Sequence, residues 1–478
     1  MRPPQSVHGH NERSYVYRIG FGAWINDMRN QPLPLQNWPA PQFDDATVEG
    51  AVRAIEVMAE AGYSYLDAFG LWATGDYPPD IVSAFQDKSR NARLRHVFRR
   101  AEKRGIAMVL PLGLLTWGFD RIIAEDPETR GKDQEGKPHA HAMCGAKEKS
   151  WEYIEKLIDT AMAQWDFGAV HLESADQGWC MCPECGGRYG AVGYNARANI
   201  RAADYIKRKW PRVVVYTIPI NWVPWRLNEE GVQQRFTPDE FEHVLELSKH
   251  IDIFMDQGHR GCFTPPAWIS KLHCAYGTSG GLWLYHSVRM SRLSYLIPYP
   301  KRACELLRRD FERGARGCLY YQGPMINPGV EINSAVAGRI MQDVTRDPRE
   351  VIEEVVDTYY RPRTPHARGV LADVFLRVEE GFFGRWDPAA IKKAHNLDMP
   401  GEFSGWGLFD TEPDLPGHLY EPFLDKEGRI AYKGELVGCL RDLDGIRNDV
   451  GDAERVARLT DALATAIQFL KSYIAFKN

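Results

Sequence analysis

The chain has 478 residues, of which 44% are hydrophobic and 26% are charged, and its formal net charge is -5. This length exceeds one ordinary domain, although a single barrel with an added helical segment also accounts for it. The composition is typical of a globular protein and lacks the basic excess that nucleic-acid binding requires. The 14 tryptophans are a weak indication of sugar binding, because indole rings stack on flat apolar faces but also pack cores.

Neither a leader nor a membrane span is expected from this sequence. Residues 1–14 contain no apolar stretch of signal-peptide length, and no run of about 18 uncharged apolar residues occurs anywhere. We therefore expect a cytoplasmic protein that contacts neither membrane nor nucleic acid, and the sequence is compatible with a homodimer. The nine cysteines are odd in number and irregularly spaced, which disfavours a disulfide-stapled secreted fold.

Short apolar, β-rich runs alternate with amphipathic helical patterns from near the N-terminus to about residue 345. The runs that we predict to be strands are 17–25, 65–72, 107–115, 168–174, 212–220, 252–256, 281–287 and 317–323. Between the first two, Val48, Val52 and Ile55 have helical spacing, and Gly62 ends the helix. Eight apolar strands, each followed by a helix, predict a (β/α)8 TIM barrel of the α/β class. A doubly wound sheet is the alternative, but no GxGxxG turn follows an early strand.

Strand patterns nearly vanish after residue 345. Three segments are helical by periodicity, and a Pro/Gly-rich span over 386–434 between them is predicted to be loop. We therefore predict two units: a catalytic barrel over 1–345 and a helical C-terminal region over 346–478 that packs on the barrel.

Catalytic groups of such barrels lie on the loops that follow the carboxyl ends of the strands. The polar and aromatic residues at these positions are Asn26, Asp27, Asp67, Trp117, Asp120, Glu173, Asp176, Asn221, Trp222, Arg226, Asp256, His259, Arg260, His286, Arg289, Gln322 and Asn327. We predict that those binding substrate are Trp117, Trp222, Arg226, Asp256, Arg260, Arg289 and Asn327.

Paired carboxylates at a barrel mouth are the usual machinery of glycoside hydrolysis, and Glu173 with Asp176 is one such pair. Three arginines on consecutive strand ends favour an anionic ligand, because guanidinium binds carboxylate in a bidentate manner. Each arginine alone is better explained as a salt-bridge partner at the rim. Their coincidence indicates a carbohydrate that carries a carboxylate.

The segment 130–145 is predicted to be a long loop after the third strand, and it carries His139 and His141. A histidine there has a pKa suited to acid or base catalysis near neutral pH. Each histidine alone is better explained as an exposed loop residue. The HxH spacing also suits a metal, but no third ligand is close in sequence.

Three cysteines follow the fourth strand in the spacing CxCxxC, at 180, 182 and 185, and Cys144 is the nearest fourth. A redox site is disfavoured, because a thioredoxin-like CxxC opens a helix and needs no third thiol. Packed free thiols that brace the loop are the simpler interpretation, and structural zinc is the alternative. We predict no cofactor and no catalytic metal.

The chain also resembles a known group of enzymes over residues 140–362. The most specific element is VHLESADQGWCMCPEC, and CGAKEKSWEYIEKLIDTAMAQW, VVVYTIPINW and EINSAVAGRIMQDVTRDPREVIEEVVDTYYRP accompany it. These segments resemble barrel glycosidases related to α-glucuronidases and β-hexosaminidases, and the layout is most similar to glycoside hydrolase family 156, the inverting exo-sialidases. The resemblance implies a catalytic Asp after strand one, which is Asp27 by position. It also implies a histidine in the long loop, His139 or His141, and arginine bound to the sialic acid carboxylate.

The resulting hypothesis is an exo-acting, inverting glycosidase that releases α-linked sialic acid. Asp27 and a loop histidine would activate the water, while Glu173 and Asp176 would orient that set or be the acid pair themselves. One alternative is an α-glucuronidase- or β-N-acetylhexosaminidase-like enzyme that uses Glu173 and Asp176. The other is a non-catalytic carbohydrate-binding barrel.

Overall fold

The chain folds around a closed barrel of eight parallel strands. The structure is a computed structural model that describes residues 12–22, 45–67, 86–116, 118–174, 178–219, 222, 236–257, 264–280, 296–323, 325–385 and 424–476. The barrel strands are Tyr17–Phe21 (β1), Tyr65–Asp67 (β2), Ala107–Leu114 (β3), Phe167–Ser174 (β6), Val214–Ile218 (β7), Ile253–Asp256 (β8), Ala275–Gly280 (β9) and Gly317–Tyr321 (β10). An antiparallel pair stands apart from the barrel and consists of Arg130–Lys132 (β4) and Pro138–Met143 (β5).

The barrel closes where β1 pairs with β10 on one side and with β2 on the other. All eight strands are parallel, so their carboxyl ends meet at one rim. The strands are buried nearly end to end, as the continuous apolar runs predict for a sheet covered by helices. The predicted TIM barrel is confirmed.

The seventh barrel strand lies earlier than predicted. It is β9, with the sequence AYGTSG, whereas residues 281–287 lie outside the described residues. The strand carries little apolar signal because its backbone packs closely against β10. A Cβ on Gly277 would lie only 3.0 Å from the Gly317 carbonyl oxygen. Its polar side chains face buried partners instead, since the Thr278 hydroxyl donates to Asp310 at 2.9 Å.

Helices surround the barrel and continue beyond it. In chain order they are Asp45–Ala61 (α1), Lys88–Lys103 (α2), Asp120–Glu125 (α3), Glu148–Gln164 (α4), Gly186–Lys209 (α5), Pro238–Leu247 (α6), Pro266–Ile269 (α7), Pro300–Glu312 (α8), Pro328–Gln342 (α9), Pro348–Tyr360 (α10), Pro365–Phe383 (α11), Lys426–Gly445 (α12) and Ala453–Phe476 (α13). No helix among the described residues is both long enough and apolar enough to cross a membrane.

The helical character predicted after residue 345 is confirmed, with one correction. Residues 426–434, predicted to be loop, form the first turns of α12. Asp425 caps this helix by accepting the backbone N–H of Gly428 at 2.6 Å, and Tyr432 is fully buried. Capping and tertiary burial outweigh the two glycines that weakened the local helical signal.

Buried carboxylates fasten the C-terminal helices to the barrel. Glu331 on α9 accepts a bidentate pair of hydrogen bonds from Arg455 on α13, at 3.0 Å from Nη2 and 3.2 Å from Nε. Glu379 on α11 accepts the backbone N–H groups of Lys301 and Arg302 at the start of α8, at 3.0 and 2.8 Å. These contacts cross residue 345 and anchor the C-terminal helices, while the division into two units at that residue stays a prediction.

We predict that Glu331→Ala lowers the free energy of unfolding by about 3 kcal/mol, because it leaves largely buried guanidinium groups of Arg455 and Arg458 without this carboxylate. Denaturant unfolding followed by circular dichroism measures the change. The matched control is Asp373→Ala, which breaks an ion pair to Arg349 whose side chains are 53% and 40% exposed. That control should cost less than about 1 kcal/mol. Equal costs for the two variants would contradict a docking role for Glu331.

Candidate functional site

A polar cluster lies inside the barrel just below its carboxyl rim. Asp67 ends β2, and its Oδ2 lies 2.7 Å from Nδ1 of His171 on β6 and accepts the Tyr216 hydroxyl of β7 at 2.7 Å. The His171 and Tyr216 rings stack with centroids 4.7 Å apart, and all three residues are buried. Burial, and next the Asp67 charge, raise the pKa of Tyr216 well above its ordinary value, so its phenol stays protonated. We assign the Nδ1 proton to His171, because Asp67 is the acceptor.

The second ring nitrogen of His171 and the second carboxylate oxygen of Asp67 are also buried inside the barrel. When Nδ1 carries the only ring proton, the imidazole of His171 has a lone pair on Nε2. That Nε2 and Oδ1 of Asp67 have no hydrogen-bond partner among the described residues, although both are buried. Buried polar atoms without partners are rare, and they mark places where a ligand or water completes the set.

Glu173 lies two residues after His171 on β6, so both side chains point to the same face of the strand. It is 7% exposed and pairs in register with Gly113 of β3 and Ile218 of β7. Glu173 is two residues nearer the carboxyl end of β6 than His171, so it lies on the rim side of the buried cluster. Its charge also contributes to the raised pKa of Tyr216, after burial and Asp67. Glu173 at the rim and the Asp67 cluster beneath it therefore form the centre of the candidate site.

The segment predicted to be a long loop after β3 is a β-hairpin. β4 and β5 pair antiparallel, and the hairpin is attached to the barrel because the Met143 N–H donates to the Leu115 carbonyl at 2.7 Å. Leu115 follows β3 directly and adopts a φ of 64°, a left-handed conformation that is uncommon for leucine. The hairpin is thereby held at the rim, next to the strand that carries Glu173.

His139 is fixed as a neutral side chain with its proton on Nε2. Its Nδ1 accepts the backbone N–H groups of His141 and Ala142, at 3.1 and 3.0 Å, so that nitrogen cannot carry the proton without losing both bonds. Partial burial, followed by the nearby His141, lowers the pKa of His139 below its ordinary value. A neutral imidazole protonated on Nε2 donates hydrogen bonds and has no free lone pair with which to act as a base.

His141 has the opposite arrangement. Its Nδ1 lies 2.5 Å from Oδ1 of Asp120, the first residue of α3, and the two side chains are 38% and 31% exposed. We assign the Nδ1 proton to His141, because the carboxylate can only accept, and in the neutral imidazole this assignment leaves the Nε2 lone pair available. An imidazole oriented by a carboxylate in this way is the usual form of a general base. The geometry therefore separates two histidines that the sequence left equivalent.

Three of the predicted substrate-binding residues lie within the described part of the chain, and each is buried or makes structural contacts there. Asp256 is fully buried and accepts the Tyr276 hydroxyl at 2.7 Å and the Thr264 N–H at 2.5 Å. Asn327 caps α9 by accepting the Gly329 N–H at 2.8 Å, and Trp222 is fully buried. These contacts favour support of the rim loops, while substrate binding by these residues stays a prediction.

The remaining predicted site residues, Asp27, Trp117, Asp176, Arg226, Arg260 and Arg289, lie outside the described residues. Sequence reasoning missed His171 and Tyr216. The available signal was the alternation of β6, which places His171 on the same face as Glu173. It also missed the pairing of Asp120 with His141, which are 21 positions apart and meet only when the hairpin folds back.

The four cysteines at the foot of the hairpin converge in the structure. One sulfur atom each from Cys144, Cys180, Cys182 and Cys185 lies within 4.8 Å of every other, so the set offers four ligand atoms for one metal ion. Packed thiols and structural zinc, the two interpretations left open by the sequence, are both compatible with this proximity.

The sequence matches no protein-family model and no curated protein, whereas solved structures share its fold. A GH138 enzyme targeting pectin rhamnogalacturonan II aligns with a TM-score of 0.53 and 10% identity over 97% of this chain and 57% of its own. CpGH84B aligns with a TM-score of 0.52 and 9% identity over 97% of this chain and 71% of its own. The chain thus spans little more than half the length of the first of these. At such low sequence identity, these similarities show a shared barrel fold and nothing more.

We predict that His139 titrates below the ordinary range of a histidine and that its neutral form is protonated on Nε2. Two-dimensional NMR of the imidazole nitrogens over a pH series measures both properties. The folded pKa lies below the unfolded one, so the unfolded state binds more protons at mildly acidic pH. Stability contributed by this group is therefore complete above about pH 6.5 and is lost as the pH falls towards the folded pKa. A proton on Nδ1 would contradict the assignment.

Proposed function

We propose that this chain is a glycoside hydrolase that removes a terminal acidic sugar, with α-linked sialic acid as the substrate. The observation that carries the proposal is the pair of Asp120 and His141, a carboxylate-oriented imidazole held at the rim of a barrel beside the strand that carries Glu173. The fold shared with a GH138 enzyme that targets a pectin polysaccharide supports a carbohydrate substrate.

In the proposed reaction, His141 acts as the general base. Its Nε2 accepts a proton from water, and the water oxygen attacks the anomeric carbon as the glycosidic C–O bond breaks. Asp120 stabilises the imidazolium that forms, as a buried or partly buried carboxylate does in other acid–base pairs. Glu173 supplies the proton to the leaving oxygen, and water attack on the face opposite the leaving group inverts the anomeric configuration.

The acidic substrate is proposed from Arg226, Arg260 and Arg289, which follow three consecutive barrel strands in the sequence. Guanidinium groups bind carboxylates such as that of sialic acid by charge and by bidentate hydrogen bonds. Asp27, by its position after β1, assists the water-activating group. No step in this scheme requires a metal, because the base, the acid and the anion-binding groups are all side chains.

A second candidate uses the carboxylates alone. Glu173 lies on the rim side of the buried cluster of Asp67, His171 and Tyr216, near enough for its charge to raise the pKa of Tyr216. With Asp176 as its partner, Glu173 would then serve a uronic or N-acetylhexosaminyl glycoside. In that enzyme the hairpin histidines would be dispensable for the chemical step.

We predict that the purified chain releases the reporter from an aryl α-sialoside, with the β-anomer of free sialic acid as the first product seen by proton NMR. Glucuronyl and N-acetylhexosaminyl aryl glycosides are assayed in parallel. Clear activity on either of these and none on the sialoside would refute the leading proposal and favour the second candidate. No turnover on any of the three would favour a non-catalytic sugar-binding barrel, in which Asp27→Ala likewise changes no rate.

We predict that His141→Ala and Asp120→Asn each lower kcat/KM on the sialoside by about 10²- to 10⁴-fold, because they remove or misorient the base. His139→Ala should retain more activity than His141→Ala, because Nε2 of His139 carries a proton and cannot act as the base. The matched control is His366→Ala at the exposed start of α11, which should leave kcat/KM unchanged. Full activity of His141→Ala together with loss in Glu173→Gln would assign the chemistry to the carboxylates instead.

A further inference from the structure

The four-cysteine cluster joins two segments that are distant in sequence. Cys144 follows β5 of the histidine hairpin, whereas Cys180, Cys182 and Cys185 lie between the end of β6 and the start of α5. The Cys144 sulfur lies 3.8 Å from that of Cys182 and 3.7 Å from that of Cys185. All four sulfurs lie within 4.8 Å of one another, so they surround a single point.

These separations match a metal site and not a disulfide. A disulfide requires sulfurs about 2.05 Å apart, far closer than the separations seen here. Four thiolates bound to zinc at about 2.3 Å in a tetrahedron have sulfur–sulfur edges of about 3.8 Å. The distances from the Cys144 sulfur to those of Cys182 and Cys185 lie at this value, and the compact arrangement fits one ion better than a cluster spread over several irons.

The backbone around the cysteines is arranged to donate hydrogen bonds to sulfur and to form tight turns. The Lys132 N–H donates to the Cys180 sulfur at 3.4 Å. In the CPEC turn, the Cys185 N–H donates to the Cys182 carbonyl at 3.0 Å. N–H groups aimed at sulfur stabilise thiolate, which is the form that binds metal.

Glycines allow the two segments to approach. A Cβ on Gly131 of β4 would lie 3.0 Å from the Cys180 Cβ and 3.3 Å from its sulfur, so a larger residue would push the hairpin away. One backbone hydrogen bond already joins the segments, from the Met181 N–H to the Lys132 carbonyl at 2.7 Å. In the loop after β6, Gly178 has a φ of 89°, and a Cβ there would lie 2.9 Å from Nε2 of His139.

We propose that Cys144, Cys180, Cys182 and Cys185 bind one structural Zn²⁺ that fastens the histidine hairpin to the loop after the fourth barrel strand. Four protein ligands fill the coordination sphere, so the ion has no open position for water or substrate and takes no part in chemistry. Its effect is to hold the hairpin that carries His139 and His141 against the strand end that carries Glu173. Only the importance of this hairpin for catalysis rests on the proposed function.

We predict one zinc per chain, measured by elemental mass spectrometry on protein purified without chelator. Cys144→Ser and Cys182→Ser should each retain less than one tenth of the zinc, because each removes a ligand from the closed site. Cys274→Ser, which changes a partly buried cysteine outside the cluster, is the matched control and should retain all of it. Wild-type protein with no zinc, or with iron in its place, would overturn the assignment.

A second measurement uses the unmodified sequence, in case the serine variants fail to fold. Chain produced with Co²⁺ should show the thiolate charge-transfer and visible bands of tetrahedral cobalt. A thiol-binding mercurial should then release one ion to a chelator as four thiolates form mercury adducts, and an excess of small thiol should remove the mercury to leave the metal-free chain. Hydrogen exchange should become faster in residues 130–147 and 178–186 and stay unchanged in the barrel strands. Octahedral cobalt spectra, or unchanged exchange after metal removal, would contradict the fastening role.

These readouts do not depend on any substrate. Zinc bound in the expected ratio without hydrolysis of any glycoside would contradict the proposed function and leave the metal site intact. Hydrolysis of the sialoside by a chain that binds no zinc would contradict the metal site alone.

Discussion

Closure of the parallel barrel is the constraint on which the candidate site depends. Asp67, His171 and Tyr216 are separated by up to 149 positions, yet they meet because β2, β6 and β7 run in the same direction around one interior. The strands are also in fixed register, so a shift of one residue would turn His171 and Glu173 out of the barrel together. The polar cluster beneath the rim is thus a consequence of strand pairing, and Glu173 lies above it for the same reason.

The hairpin after β3 adds the second half of the site. His139 and His141 project from one strand with a single residue between them, so they would be expected to lie on the same face. Their chemistry nevertheless differs, because Nδ1 of His139 accepts two backbone N–H groups whereas Nδ1 of His141 faces the Asp120 carboxylate. The surroundings therefore make one imidazole a donor and leave the other with a lone pair. This difference supports His141 as the base in the proposed hydrolysis.

The four cysteines have a different role from the carboxylate that precedes them in sequence. They lie beyond the end of β6 and at the foot of the hairpin, so a metal bound there contacts no substrate but joins the two segments that carry the proposed acid and base. The sequence placed Glu173 and the CxCxxC spacing side by side, and proximity alone did not say whether they share one function. In the structure, the carboxylate lies at the barrel mouth, whereas the sulfurs lie together beyond the end of β6 at the foot of the hairpin.

Much of the fold followed from the sequence, because a covered parallel sheet needs near-continuous apolar strands and amphipathic helices, and both are local patterns. Seven barrel strands and the C-terminal helices were predicted on that basis, as were Glu173 and the loop histidines as candidates. The seventh strand in chain order was placed too late, because AYGTSG is buried through close backbone contact and polar pairing, which leave no apolar pattern. The Asp120 pair, the tautomers and the convergence of the cysteines were decided only by tertiary structure. The pairing of Asp120 with His141 and the convergence of the cysteines join atoms that are 21 to 41 positions apart. The His139 tautomer depends instead on N–H groups two and three positions away, which reach its Nδ1 only in the folded hairpin. These distances and hydrogen-bond directions do not exist until the chain has folded.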